Sequence, residues 1–161
     1  PVYIRFAREK TSVFTTPKTP FEIGKACLFF KPSRKATDVA IIACGPLAHN
    51  ALLAAAELES EGMSVMVINS PTIKPLDEET IVGAAQNAKA VVTVEEHQVQ
   101  GGMGSAIAEL LARRFPVPIE FVGVQNRFGE SGLPQELIEA FGMGVSHIKE
   151  AAKKASHRKT A

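Results

Sequence analysis

Four short runs, Val39 to Ala43, Val65 to Ile68, Ala90 to Val94 and Ile119 to Val124, are almost wholly apolar, and segments of helical length separate them. A strand that is apolar on both of its faces must be covered on both faces, which is the situation of a parallel sheet between helices. Each connection also carries helix punctuation. Gly45-Pro46 opens the first, because proline at the first helical position forfeits no hydrogen bond; Leu47, Ala51, Ala54 or Ala55, and Leu58 give it an apolar stripe, and Gly62 ends it. Asp77 caps the second, with Glu78 and Glu79 at the positive end of the helix dipole. Gly101 to Gly104 leads into the third, which carries Ile107, Leu110 and Leu111 and stops before Pro116 and Pro118. Lys25 to Phe30 reads as a further strand ended by Pro32 and Ser33, and short helices over Pro134 to Phe141 and about His147 to Ala155 finish the chain. Strand and helix in alternation specify a doubly wound α/β sheet.

Ahead of this pattern, Val2 to Phe6 reads as a strand, and Arg8 to Pro20, rich in threonine and proline, reads as an extended connector. The expected organisation is therefore residues 1–20 as the end of one domain plus a linker, 21–155 as a domain with its own core, and 156–161 as a flexible basic tail. The chain begins at Pro1 without methionine, so it reads as a piece of something longer. The cations Lys149, Lys153, Lys154, Arg158 and Lys159 are expected to be frayed and solvated.

A formal net charge of +1 provides no field for nucleic acid or anionic lipid. No apolar run approaches the ~20 residues of a membrane helix. Cys27 and Cys44 sit in apolar surroundings without disulfide or zinc spacing, so the expected setting is reducing and cytoplasmic.

Ligands of open α/β sheets bind beyond the carboxyl ends of the strands, and three loops qualify. Cys44-Gly45-Pro46 lacks a Walker lysine and a Gly-x-Gly-x-x-Gly run, and reads as a tight turn. Glu95-Glu96-His97 continues to Gly101, Gly102 and Gly104. Strand alternation would put Glu95 and His97 on one face as an acid–base pair, and the glycine turn would offer free N–H groups to an anion or to a partner chain. These six residues are a possible interface or anion site, and no metal site follows from them. The third loop, Val124 to Gly132, contains Arg127, which reads as an ion-pair or carbonyl partner. His49 and His147 read as interfacial or paired side chains. Arg5 and Arg8 flank the end of the first strand; arginine suits bidentate phosphate recognition, but from the chemistry alone surface ion pairing is the commoner role.

Several of these blocks, in their order and spacing, resemble transketolase. They are Tyr3-Ile4-Arg5-Phe6-Ala7-Arg8, Ile73 to Asp77, Val92 to His97 with Gly101 to Gly104, Asn126-Arg127, Ser131 to Pro134, and Glu136-Leu137 to Phe141-Gly142. Deoxyxylulose-phosphate synthase and the beta subunits of 2-oxo-acid dehydrogenases share part of the pattern. The resemblance implies the family's carboxy-terminal domain, a three-layer α/β/α fold on a mixed five-stranded sheet whose first strand, Lys25 to Phe30, runs antiparallel. It also implies a parent enzyme that moves a two-carbon ketol unit between sugar phosphates. Such an enzyme uses thiamine diphosphate and Mg2+ and works as a homodimer or with a partner subunit. The family's cofactor ligands and activating glutamate belong to domains this chain lacks, so it should be inactive alone, with no catalytic residue and no cofactor of its own. Only Arg8 aligns with a substrate contact, the arginine that grips the sugar phosphate; no role carries over to Arg5. The alternatives are the carboxy-terminal domain of one of those related thiamine diphosphate enzymes, deoxyxylulose-phosphate synthase or a 2-oxo-acid dehydrogenase beta subunit, and a stand-alone regulatory module that binds an anion at the glycine turn.

Overall fold

The computed structural model describes residues 1–32, 34 and 36–159. Ser33, expected to help end the first strand, and the last two positions of the expected tail, Thr160 and Ala161, lie outside the described residues. Five strands, β1 (Cys27–Phe30), β2 (Val39–Ala43), β3 (Val65–Asn69), β4 (Val91–Gln98) and β5 (Ile119–Val124), form one sheet in the order β1-β3-β2-β4-β5. β1 is antiparallel to β3 and every other pairing is parallel. Five helices accompany them: α1 (Leu47–Ser60), α2 (Glu78–Ala88), α3 (Met103–Arg114), α4 (Pro134–Ala140) and α5 (Val145–His157).

The period-2 geometry of β2 divides the core. Val39, Ile41 and Ala43 point into one cluster with α1 and α5, and Ala40 and Ile42 into a second with α2 and α3. All five β2 residues are fully buried, as a central strand covered on both faces requires. Alanines at 48, 51, 54 and 55 let α1 sit close to the sheet, and Ile148, Ala152 and Ala155 seat α5 beside it. Asp77 caps α2 by accepting from Thr80 N, at 3.1 Å.

Two expectations are corrected. Val2 to Phe6 forms no strand: among the described residues its backbone makes no ladder bond, and Val2, Tyr3, Ile4 and Phe6 are all exposed. The basic run is not a frayed tail. Lys149, Lys153 and Lys154 lie on α5, and their ammonium groups pair with Glu57, Glu61 and Glu120, while Arg158 also reaches Glu120. Apolar docking of α5 orders the segment, and the carboxylates of α1 and β5 then meet its charges.

Candidate functional site

The strand order reverses between β2 and β4, which puts the carboxyl-edge crevice of this fold between the loop after β2 and the loop after β4. Glu95 is the residue that organises it. Its carboxylate accepts from Met103 N at 2.7 Å and from Gly104 N at 2.8 Å, so a side chain from β4 caps the amino terminus of α3. Glu95 is only 2% exposed. Burial pushes its carboxyl above the ordinary range, against the amide bonds of Gly104 and Met103 and the nearby charges of His97 and Arg5.

The glycine turn exists to let this happen. Gly101 has φ +81°, in the left-handed region that a side chain would oppose. A Cβ on Gly102 would stand 2.5 Å from Gln98 O and collide with Glu95 Oε2. On Gly104 it would meet Thr93 Oγ1 at 2.7 Å and Phe121 Cδ1 at 2.9 Å.

The amides of Met103 and Gly104 are taken by the Glu95 carboxylate, that of Gly101 donates to Ser105 Oγ at 2.9 Å and that of Gly102 to Val99 O at 3.3 Å, so each N–H of the turn already has a partner within the chain, against the anion-site reading of Gly101, Gly102 and Gly104. The expected acid–base face of Glu95 and His97 is corrected as well. Pairing steps from Val94 opposite Val122 to Gln98 opposite Val124, so four residues of β4 span two of β5 and the strand bulges. Glu95 turns inward, while Glu96 and His97 are exposed, and His97 Nδ1 lies 2.8 Å from Gln98 O. What this edge offers a partner is an exposed rim of Glu96 and His97 on a rigid turn.

Across the crevice, Gly45 (φ +64°) makes the tight turn and Cys44 N donates to Val94 O at 3.1 Å. Burial, with the Glu95 charge adding and Arg5 opposing, raises the Cys44 thiol to about 12, so it is protonated and inert as a nucleophile. Arg127 pairs with Glu130 and lies 4.2 Å over the Phe141 ring. His147 lies 3.6 Å from Glu139, and His49 is half-buried beside Phe14. Arg8 is 91% exposed at its side chain and pairs with Glu9 at 3.1 Å. Arg5, to which the family resemblance carried no role, donates from Nη1 to Glu96 O at the end of β4, at 2.8 Å.

Thiamine diphosphate and its divalent ion do not fit the donors present. Among the described residues no three His, Cys, Asp or Glu side chains converge as a metal site, and the buried carboxylate of the glycine turn is committed to backbone amides.

Comparison with known proteins agrees with this architecture. The family model described as "Transketolase, C-terminal domain" matches residues 30–148. The 6-deoxy-6-sulfo-D-fructose transketolase subunit SqwH of Clostridium sp. (strain MSTE9) is 43% identical over 99% of this chain and 48% of its own length. The 1-deoxy-D-xylulose-5-phosphate synthase of Syntrophotalea carbinolica is 33% identical over 98% of this chain and 25% of its own. A solved structure described as a split gene transketolase, inactive beta4 tetramer, superposes with a TM-score of 0.89 at 38% identity, covering 95% of this chain and 49% of that one. The chain thus spans half or less of the length of these relatives. With the mixed sheet, the antiparallel first strand and the family match in agreement, this chain belongs to the transketolase C-terminal domain family.

Proposed function

We propose that this chain is the carboxy-terminal portion of a transketolase, which transfers a two-carbon ketol unit between sugar phosphates with thiamine diphosphate and Mg2+ held by other domains or by a partner subunit. The observation that carries this reading is 43% identity along 99% of the chain to a transketolase subunit. In the assembled enzyme this portion packs against the cofactor-binding domains and against a second protomer, and is inactive alone. Residues 1–20 close the preceding domain and link it to the domain that follows, which is supported by the exposed apolar side chains of Val2, Tyr3, Ile4 and Phe6. Arg8 supplies a guanidinium for the sugar's terminal anion, supported by its exposure and its place in the Tyr3-to-Arg8 block. The reading places the enzyme in the cytoplasm, and among the described residues no helix is long and apolar enough to cross a membrane.

The chemistry left to these residues is binding and orientation. A guanidinium presents parallel N–H donors to phosphate or to sulfonate alike, so the sulfosugar named for one relative is a second substrate class for the same grip. The test is turnover. This chain, co-expressed with the portion that completes it and given xylulose 5-phosphate and ribose 5-phosphate, yields sedoheptulose phosphate, and the chain alone does not. If 6-deoxy-6-sulfofructose alone serves as donor, the sulfosugar class replaces the phosphosugar one. If the assembled pair instead condenses pyruvate with glyceraldehyde 3-phosphate, releasing CO2 and giving deoxyxylulose phosphate, the synthase reading replaces transketolase. If the assembled pair makes none of these products, the proposal fails.

A further inference from the structure

Residues 1–13 lie outside every helix and strand. Among the described residues, a single side-chain hydrogen bond ties them to the sheet, from Arg5 Nη1 to Glu96 O at 2.8 Å. The acceptor is available for a structural reason. The β4 bulge takes Glu96 out of the ladder to β5, which resumes only at Gln98. The residues on either side hold that carbonyl in place. Glu95 is clamped to the amino terminus of α3, and Gln98 Nε2 donates to Arg127 O at 2.8 Å. The Arg5 charge lowers the pKa of both Cys44, after β2, and Glu95, on β4, in keeping with a guanidinium bonded at the carboxyl end of β4.

Arg8 follows three residues later, so its Cα stays within about 10 Å of that of Arg5 even if the intervening chain is fully extended. Its own side chain pairs with Glu9, its neighbour in the chain, and is otherwise solvated among the described residues. Its position relative to the sheet is therefore set through the backbone from the Arg5 anchor.

We propose that Arg5 is a positioning residue: by binding the Glu96 carbonyl it fastens the 2–8 segment to the bulged end of β4 and so fixes where the Arg8 guanidinium meets the terminal anion of the sugar. The proposal rests on the reading of Arg8 given above. Arg5 touches no substrate. Its bond joins a charged donor to a neutral carbonyl, stronger than a neutral pair, and it trades the freedom of an otherwise unpaired segment for one orientation.

The experiment uses the assembled enzyme and compares Arg8→Ala, Arg5→Ala and Arg5→Lys. It measures kcat and KM with ribose 5-phosphate and with glycolaldehyde, an acceptor that carries no phosphate. Arg8→Ala raises KM for ribose 5-phosphate about tenfold or more, the size of a lost charge-assisted hydrogen bond. Arg5→Ala raises it about three- to tenfold with kcat nearly constant, and Arg5→Lys, which keeps a donor, recovers most of the loss. KM for glycolaldehyde stays at the parent value in all three. A structural defect would change both acceptors together and would not be rescued by lysine. Melting temperatures are recorded alongside, and if Arg5→Ala unfolds, Arg5→Gln takes its place in the same comparison. A parent-like KM in the Arg5 variants beside a raised KM in Arg8→Ala overturns the positioning role and leaves the Arg8 reading standing. A parent-like KM in Arg8→Ala overturns both.

Discussion

Glu95→Ala is the substitution that most sharply separates a self-capped turn from an open ligand site. The change removes the acceptor of two short bonds, from Met103 N and Gly104 N, at a residue only 2% exposed. Each buried N–H left without a partner costs about 1–3 kcal/mol. Part of that is offset, because the desolvated charge that burial penalised disappears as well. A net loss of about 2–4 kcal/mol follows, and in a chain of this size each kcal/mol moves the melting temperature by about 2–4 °C. Urea unfolding at neutral pH, followed by circular dichroism, measures the change. Glu96→Gln, on the exposed neighbour, is the control and stays within about 0.5 kcal/mol of the parent.

Glu95→Gln adds a test by pH. Burial raises the Glu95 carboxyl above its unfolded value of about 4.3. A raised folded value means that the stability it contributes is complete below the unfolded pKa and declines as pH rises through the folded one. The glutamine variant has no such titration, so the parent's advantage over it shrinks from pH 4 toward neutrality. If Glu95→Ala lies within about 0.5 kcal/mol of the parent, the capping account is wrong; if the advantage over glutamine grows with pH, the amide bonds of Met103 and Gly104 outweigh burial and the upward direction given for the Glu95 carboxyl is wrong.

Gly104→Ala forces a Cβ to within 2.7 Å of Thr93 Oγ1 and 2.9 Å of Phe121 Cδ1, and costs about 1–3 kcal/mol by overpacking, read from the same urea curves. Asp77, which burial alone would raise, is held below the ordinary range by hydrogen bonds from Ala26 N, Thr80 N and Thr80 Oγ1. Its contribution is complete above the unfolded value near 3.9 and is lost as pH falls through the lower folded one; acid unfolding of Asp77→Asn is accordingly shallower than that of the parent. Millimolar phosphate leaves the melting temperature of the parent unchanged, because the amides of α3 are already taken; a rise by mass action would restore the anion-site reading.

Local signals carried the fold. Each strand of the core is an apolar run bounded by its own punctuation. Asp77, Gly45-Pro46 and Gly62 mark helix ends through bonds made within a few residues of themselves. The site was less legible, because its geometry depends on distant partners. Period-2 alternation put Glu95 and His97 on one face, and it failed because pairing with Val122 and Val124 bulges the strand between them. Nothing near Lys149 in the chain announces Glu57 and Glu61, more than 80 residues earlier. The Arg5 tie spans 91 residues and ends on a backbone carbonyl that any side chain could carry. The glycine turn was recognised as a place of close approach, but the group that approaches it is the protein's own carboxylate. A glutamate eight residues before the first helical amide was the available clue.

Whether cofactor chemistry resides in this chain is decided most directly by titrating thiamine diphosphate with Mg2+ into it in a calorimeter, and repeating the titration with the assembled enzyme. The account predicts no heat of binding from the chain alone at millimolar ligand, and saturable binding once the remaining portion is present. Saturable binding to residues 1–161 by themselves would contradict it.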